Sequence, residues 1–415
     1  MLAALLAALL ACAPPGKARA DMCTHFGFSP RGIGMANAVS AVIDDYSGVY
    51  YNPAALAASG ISSFTLGYLY HSPRIKVRDW AGGERAGFTR DMNTGLVGYR
   101  QNLKDMMPRK WDRNVMVALA LAYPGNFKTS TTVSTSKYDE VQFPVFGRVP
   151  DMMVMSGGMG VEVLPGTLYL GASVRLAVTF SAKDIILGIH VLEEQVVYEK
   201  VAVDAESEIL PIAGILVQPR QDLRLAAVWR RGGSPVRIVG RGGGGASLGP
   251  LELPIGLDMA FQDFFVPDEF AGSVAWRPRQ NLLLAVECTY ARWSKYNDPF
   301  GNIPPGEPFE DIVIPRFGVE YMVLQELRLN AGYYWQPSPV KTLQPSTRYL
   351  DSDAHVFSLG VGYAVPVRSL LRFPLVVSAY AQFRTLPRRT LYTVEGPTAV
   401  WGTAAGLGAT VELRF

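Results

Sequence analysis

The sequence predicts an all-β transmembrane barrel of fourteen antiparallel strands, and three observations point to it. Apolar residues fall in short segments of period two, the spacing of a strand with two unlike faces. Beyond the N-terminus no apolar run approaches the ~18 residues a membrane-spanning helix needs, although 49% of the 415 residues are hydrophobic. The links between strand-like segments alternate long and short, as in barrels with short periplasmic turns and long extracellular loops.

In chain order, residues 1–20 read as an export signal. Leu2 to Ala13 is continuously apolar, and Ala18-Arg19-Ala20 supplies a small-x-small cleavage signature before Asp21. No Lys or Arg precedes the apolar run, which leaves open a start site further upstream. Leu9-Leu10-Ala11-Cys12 offers a rival, a lipid-modified Cys12; cleavage after Ala20 is the expectation, and either route exports the chain.

Residues 21–60 form a second unit, rich in Gly, Ala and Ser. Asn52 is placed to cap a short helix, with Pro53 at its first position, Ala54 to Ser59 as its body and Gly60 as its stop. So short a helix is not stable alone. The segment is therefore expected to pack inside the barrel as a plug, or hatch.

Residues 61–415 then form the wall. Strands are expected near 61–73, 88–101, 113–123, 150–163, 168–182, 206–218 and 222–236. The other seven fall near 267–278, 281–297, 312–323, 327–336, 355–366, 372–385 and 400–415. Long links are 124–149, 183–205, 237–266, 298–311, 337–354 and 386–399, with 188–203 assigned to a hairpin or strand extension. The even count puts both chain ends on the periplasmic side.

Leu168 to Ser181 shows the alternation: Leu168, Leu170, Ala172, Val174 and Leu176 share one face, and Tyr169, Gly171, Ser173 and Arg175 the other. The final strand alternates in the same way from Gly406 to Phe415. Its aromatic end looks like the signal by which barrels are handed to the outer-membrane assembly machinery. Outer-membrane lipid and lipopolysaccharide are the expected surroundings.

Residues 27–58 read GFSPRGIGMANAVSAVIDDYSGVYYNPAALAA. This segment resembles the opening of the FadL family of outer-membrane transporters, which includes TodX-type importers of aromatic hydrocarbons. Asp44, Asp45 and Asn52-Pro53-Ala54 stand where that family has an acidic pair and an Asn-Pro-Ala turn. Three later segments resemble it in the same order: Tyr290 to Tyr296, Ile314 to Pro339 and Asp353 to Tyr363. The resemblance implies a fourteen-stranded barrel with the N-terminal segment inside, an apolar site near the loops, a deeper apolar pocket and a hatch that rearranges. It further implies uptake of hydrophobic ligands, with release sideways through a gap at a kinked strand. Asn52, Pro53, Ala54, Asp44 and Asp45 are then the candidate gating residues.

Long-chain fatty acids are the expected ligand over neutral hydrocarbons. A carboxylate entering an apolar pocket needs a cation or several donors. Arg175 is the one formal charge on the inward face of its strand, and Arg224 and Arg384 are further candidates, with Lys295 near the loops.

Other chemistry finds little support. Gly240 to Gly245 satisfies GxGxxG but lacks a strand-to-helix unit around it, and is expected to be a flexible loop. The four histidines are dispersed and no GxSxG elbow occurs, so neither a metal, a cofactor nor a catalytic residue is expected. A net charge of +3 without a basic stripe does not suggest nucleic acid. Cys23 and Cys288 are expected as buried, unpaired thiols, although periplasmic pairing is open to them. Trp229, Trp276, Trp293 and Trp335 are expected in an interfacial girdle. A porin for polar solutes and an outer-membrane lipase remain as alternatives.

Overall fold

A computed structural model describes residues 26–79, 82–88, 91–106, 112–124, 143, 145, 154–190, 195–248, 251–296, 308–341, 349–366, 374–393 and 396–415. Cleavage after Ala20, the Cys12 alternative and Cys23 lie outside these residues.

Among the described residues, fourteen strands form a closed antiparallel wall. They are β1 (Ser63–Arg78), β3 (Met92–Asn102), β4 (Val115–Pro124), β5 (Val154–Leu164), β6 (Leu168–His190), β7 (Gln195–Arg220) and β8 (Leu223–Arg230). The wall continues with β11 (Asp268–Arg279), β12 (Leu282–Arg292), β13 (Ile312–Met322), β14 (Leu327–Gln336), β15 (Ala354–Val365), β16 (Leu375–Thr393) and β17 (Gly396–Arg414). Each pairs with its neighbours in order, and β17 closes on β1 from Ser63↔Arg414 to Arg78↔Ala399. Closure leaves no wall edge unpaired, the condition for a sheet in lipid.

The parity of the strands decides what the barrel faces. On β6, Leu170 and Val174 are exposed while Tyr169, Ser173 and Arg175 are buried. On β13 and β15, Val313, Phe317, Val319, Phe357 and Leu359 likewise point outward. An exposed apolar band on every side suits lipid and not water. Trp229, Trp276 and Trp335 lie on this outer face as expected.

Several local expectations need correction. Trp293 is buried (5% exposed): it continues the inward parity of Thr289 and Ala291 into the 3-10 turn Trp293–Lys295 that follows β12. Cys288 shares the outward parity of Val286 and Tyr290 and is exposed rather than buried.

Three expected loops are largely strand. The links 183–205 and 386–399 are the upper ends of the β6–β7 and β16–β17 hairpins, the first being the hairpin or strand extension expected for 188–203. The link 237–266 lies within a hairpin of β9 (Gly233–Leu248) and β10 (Leu251–Val266), with β9 running parallel to β6. Gly240 to Gly245 therefore sits in a strand, not a flexible loop. A run of glycines carries no side-chain alternation, so only its strand partners reveal it. A short β2 (Glu84–Phe88) folds back on the end of β1.

Candidate functional site

The lumen is occupied by residues 26–58, nearly all buried. Two short helices lie in this segment, α1 (Pro30–Gly34) and α2 (Gly48–Tyr51), followed by a 3-10 turn over Pro53–Ala58. Ser29 caps α1 by accepting from the Gly32 amide at 3.2 Å, with Pro30 at the first position. Elements this short cannot persist without tertiary contacts, and the wall supplies them.

The Asn52-Pro53-Ala54 turn sits on a row of glycines. Gly160, Gly171 and Gly214 are directly paired across β5, β6 and β7. A Cβ on Gly171 would stand 2.2 Å from the Pro53 carbonyl carbon, and one on Gly214 2.0 Å from Asn52 Oδ1. The glycines therefore let two backbones approach where any side chain would keep them apart. Asn52 Oδ1 accepts from the Ala54 amide at 3.0 Å, and its Nδ2 donates to Ser40 O at 2.8 Å and to Ile215 O on the wall at 3.3 Å. Its capping role is in place, but the helix it caps is 3-10 and not α. A second row lies elsewhere on the wall: Gly318 pairs with Gly332, and both face Met35 and Ala36. Ala36 and Asn37 have positive φ (54° and 60°). Asn37 is held there by a bond to Phe26 O at 3.2 Å and by the Tyr51 hydroxyl, which donates to it at 2.6 Å.

Charged contacts complete the docking. Arg31 bonds Asp44 at 2.6 Å and Glu320 of β13 at 2.8 Å, and Glu320 also faces Arg328 at 3.5 Å. The Ser40 amide donates to Glu287 of β12 at 2.9 Å. Carbonyls at the C-terminal end of α2, which a helix leaves without partners, are taken by the wall: Ser173 donates to Val49 O, and Arg230 to Tyr50 O and Tyr51 O.

Burial pushes the Asp44 carboxyl up, but the guanidiniums of Arg31, Arg100, Arg414 and Arg328 outweigh it and hold Asp44 below the usual carboxylate range. Asp45 is raised by burial and by Glu412, against its bonds to Ser47. The acidic pair is thus split, one member locked as an anion and the other pushed toward its neutral form.

The three candidate arginines occupy three separate places. Arg175 is 5% exposed and lines a small cleft with Tyr50, Leu210, Ile212, Arg230 and Glu269, among others. Arg384 is buried in mid-wall, donates to the Tyr334 hydroxyl at 2.6 Å and lies 5.3 Å from the Phe26 ring centroid. Arg224 stands by the short turn between β7 and β8 and donates to Gln218 at 3.1 Å. Sequence reasoning passed over Arg31, Arg230, Glu287 and Glu320. Arg230 had a usable signal, since it shares inward parity with Arg224, Ala226 and Val228.

Outside the wall, the 3-10 turn and adjoining loops form an aromatic cluster: Phe265, Trp293, Tyr296, Phe309 and Tyr349, with ring centroids 4.5–6.0 Å apart. Beside Tyr349 and Leu350, Asp351 is 5% exposed, and burial pushes its carboxyl up to about 7. The unfolded carboxyl titrates near 3.8, so between the two values the folded loop holds a proton that the unfolded one has released. The resulting stabilisation is complete below pH 3.8 and is lost as pH rises through about 7. Amide exchange across 349–354, corrected for intrinsic rate, should therefore be faster at pH 8 than at pH 5.5, and Asp351→Asn should remove the difference. Equal protection at both values in the unaltered protein would refute this.

Comparison with known proteins agrees with this geometry. The family profile described as outer membrane protein transport protein (OMPP1/FadL/TodX) matches residues 248–378. Alkane uptake protein A of Marinobacter nauticus is 24% identical, over 92% of this chain and 87% of its own. The fold is shared with a Pseudomonas aeruginosa FadL homologue (TM-score 0.56, 16% identity, 93% of this chain and 97% of that one). It is shared equally with the P. putida toluene transporter TodX (TM-score 0.57, 14% identity, 94% and 99%). The profile match over residues 248–378, the nearly full-length relative and the closed fourteen-stranded wall agree: the chain resembles the FadL family of outer-membrane transport proteins and shares its barrel fold.

Proposed function

We propose that this protein imports long-chain fatty acids, that residues 21–60 are the hatch, and that Arg175 belongs to the station receiving the ligand's carboxylate. The observation that carries the reading is the charge of the lumen cavity. Arg175, Arg230 and Arg231 line it against a single carboxylate, Glu269, which Arg230 holds at 3.1 Å. Three guanidiniums in the lining of one cleft suit an anionic head, whereas a hydrocarbon gains nothing from them. Its open space is only about 10 Å³, room for roughly one water-sized group, so it can meet the head of the molecule and not an acyl chain. Each CH₂ buried along the apolar path then adds about 0.8 kcal/mol.

Within this reading Asn52, Pro53 and Ala54 are the hinge on the glycine row, and Asp44 and Asp45 the acidic latch. Leader removal after Ala20 and recognition of the strand ending at Phe415 by the assembly machinery belong to the same proposal. Lipopolysaccharide is the proposed outer-leaflet neighbour of the exposed apolar band.

Hydrocarbons are the second reading, favoured by the name of the Marinobacter relative. Titration of the detergent-solubilised protein with oleate, methyl oleate and toluene separates the two. Oleate should bind at least about tenfold more tightly than its ester, the worth of a charge-assisted hydrogen bond, and Arg175→Met should erase that margin. Equal affinity for acid and ester would sink the carboxylate station, and tight toluene binding beside weak oleate binding would reverse the choice.

A further inference from the structure

Polar side chains of the lumen that lack partners are not scattered evenly; several fall on one seam of the wall. The seam is β3–β1–β17, at the end carrying the short turns. Register pairs Arg100 with Ser63 and Ser63 with Arg414; in the next inward row, Gly98 pairs with Thr65 and Thr65 with Glu412. Among the described residues, Nε and Nη1 of Arg100, Oγ of Ser63, Oγ1 of Thr65, Nε of Arg414 and Oε1 of Glu412 are buried without a hydrogen-bond partner. Arg100 is 1% exposed and belongs to no ion pair among these residues. Adjacent strands lie about 4.8 Å apart, so the two guanidiniums flank Ser63 at roughly twice that spacing.

We propose that this seam is a second carboxylate station, which receives the anionic head of the ligand at the far end of the lumen before release. The proposal rests on the carboxylate reading above and extends it to the opposite end of the channel. Two guanidiniums and two hydroxyls on adjacent strands are a donor set suited to a carboxylate. Glu412 does not fill the site, because one of its oxygens is taken by Arg414 at 3.0 Å and the other is without a partner.

The hatch supplies the cover. The Tyr46 ring lies against Gly98, where a Cβ would meet it at 2.3 Å, so it caps the row holding Thr65. Asp44 lies within electrostatic reach of Arg100 and Arg414, yet it accepts its hydrogen bond from Arg31. In the closed channel Asp44 therefore serves as a distant counter-ion to the seam. Displacing residues 44–46 removes both the lid and that counter-ion, and exposes donors that a ligand carboxylate can occupy. The cationic cavity at Arg175 and the seam at Arg100 then act in sequence, so that the head group meets a partner at both ends of its passage.

The test is a titration of the intact, detergent-solubilised protein with oleate labelled with carbon-13 at the carboxyl carbon, followed by NMR. Two bound carboxylate resonances are expected. Arg100→Met should remove one and leave the other, Arg175→Met should do the reverse, and uptake into liposomes by Arg100→Met should fall roughly tenfold. Should Arg100→Met fail to assemble, the pair Ser63→Ala and Thr65→Val removes two hydroxyls of the same seam and should weaken the same resonance. Two resonances that both survive these changes, or a single resonance lost only with Arg175→Met, would overturn the second station and leave the first intact. If acid and ester bind alike and no bound carboxylate resonance appears, the carboxylate reading fails at both ends.

Discussion

Deleting residues 21–60 is expected to leave a barrel that assembles and conducts small ions at least about tenfold better than the full chain, since a large barrel without a filling leaves an aqueous lumen. The wall closes by its own backbone pairing, from β1 to β17 and back to β1. The hatch contributes packing rather than ladder bonds. Phe28, Ile33, Met35, Ile43 and Leu56 are each 0% exposed, and in the plug proposed above they fill the space that ions would otherwise cross. Its removal would strip Glu320, Glu287 and Arg230 of their partners in this segment, while Glu320 keeps Arg328 and Arg230 keeps Glu269. Those groups would then face water, which relieves most of the penalty of leaving a charge unpaired. Single-channel conductance in planar bilayers and liposome swelling with small sugars are the measurements. A truncated barrel that inserts but stays as tight as the parent would refute the assignment of this segment as the plug.

The wall was legible because lipid outside and a packed lumen inside impose opposite demands on alternate residues, and period two records both. Leu170 and Val174 against Tyr169 and Arg175 is that record on β6. It fails where side chains are absent or where the strand ends. The glycines of β9 carry no alternation, and beyond Arg292 a 3-10 turn replaces the strand. The hatch was legible only in its local chemistry: Asn52 before Pro53 announces a cap, and the cap is there. Whether the turn it opens is α or 3-10 depends on the wall beneath it, so sequence spacing could not choose.

The ion pairs and glycine rows were not legible for a different reason. Arg31 and Glu320 are 289 residues apart, and Gly160, Gly171 and Gly214 become neighbours only once three strands have their register. Parity names the inward residues of one strand, but it does not say which residues of other strands they meet.

Gly171→Leu is the sharpest test of that register. The substitution is expected to destabilise docking of the Asn52-Pro53-Ala54 turn by about 3 kcal/mol or more, the upper range for overpacking a filled interior. The first added carbon would stand 2.2 Å from the Pro53 carbonyl carbon and 2.3 Å from the Ala54 amide nitrogen. Both are backbone atoms, and the turn is fixed on its other side by Asn52 bonds to Ser40 and Ile215, so no side-chain rotation relieves the clash. The same substitution at Gly272 supplies the control, because that glycine is exposed on β11 and a Cβ there meets nothing within 4 Å. Proteolysis or amide exchange of residues 48–58 should show the turn released in the Gly171 variant and held in the Gly272 variant, with ion conductance rising only in the first. Equal protection of the turn in both variants would mean that it does not rest on this row of the wall.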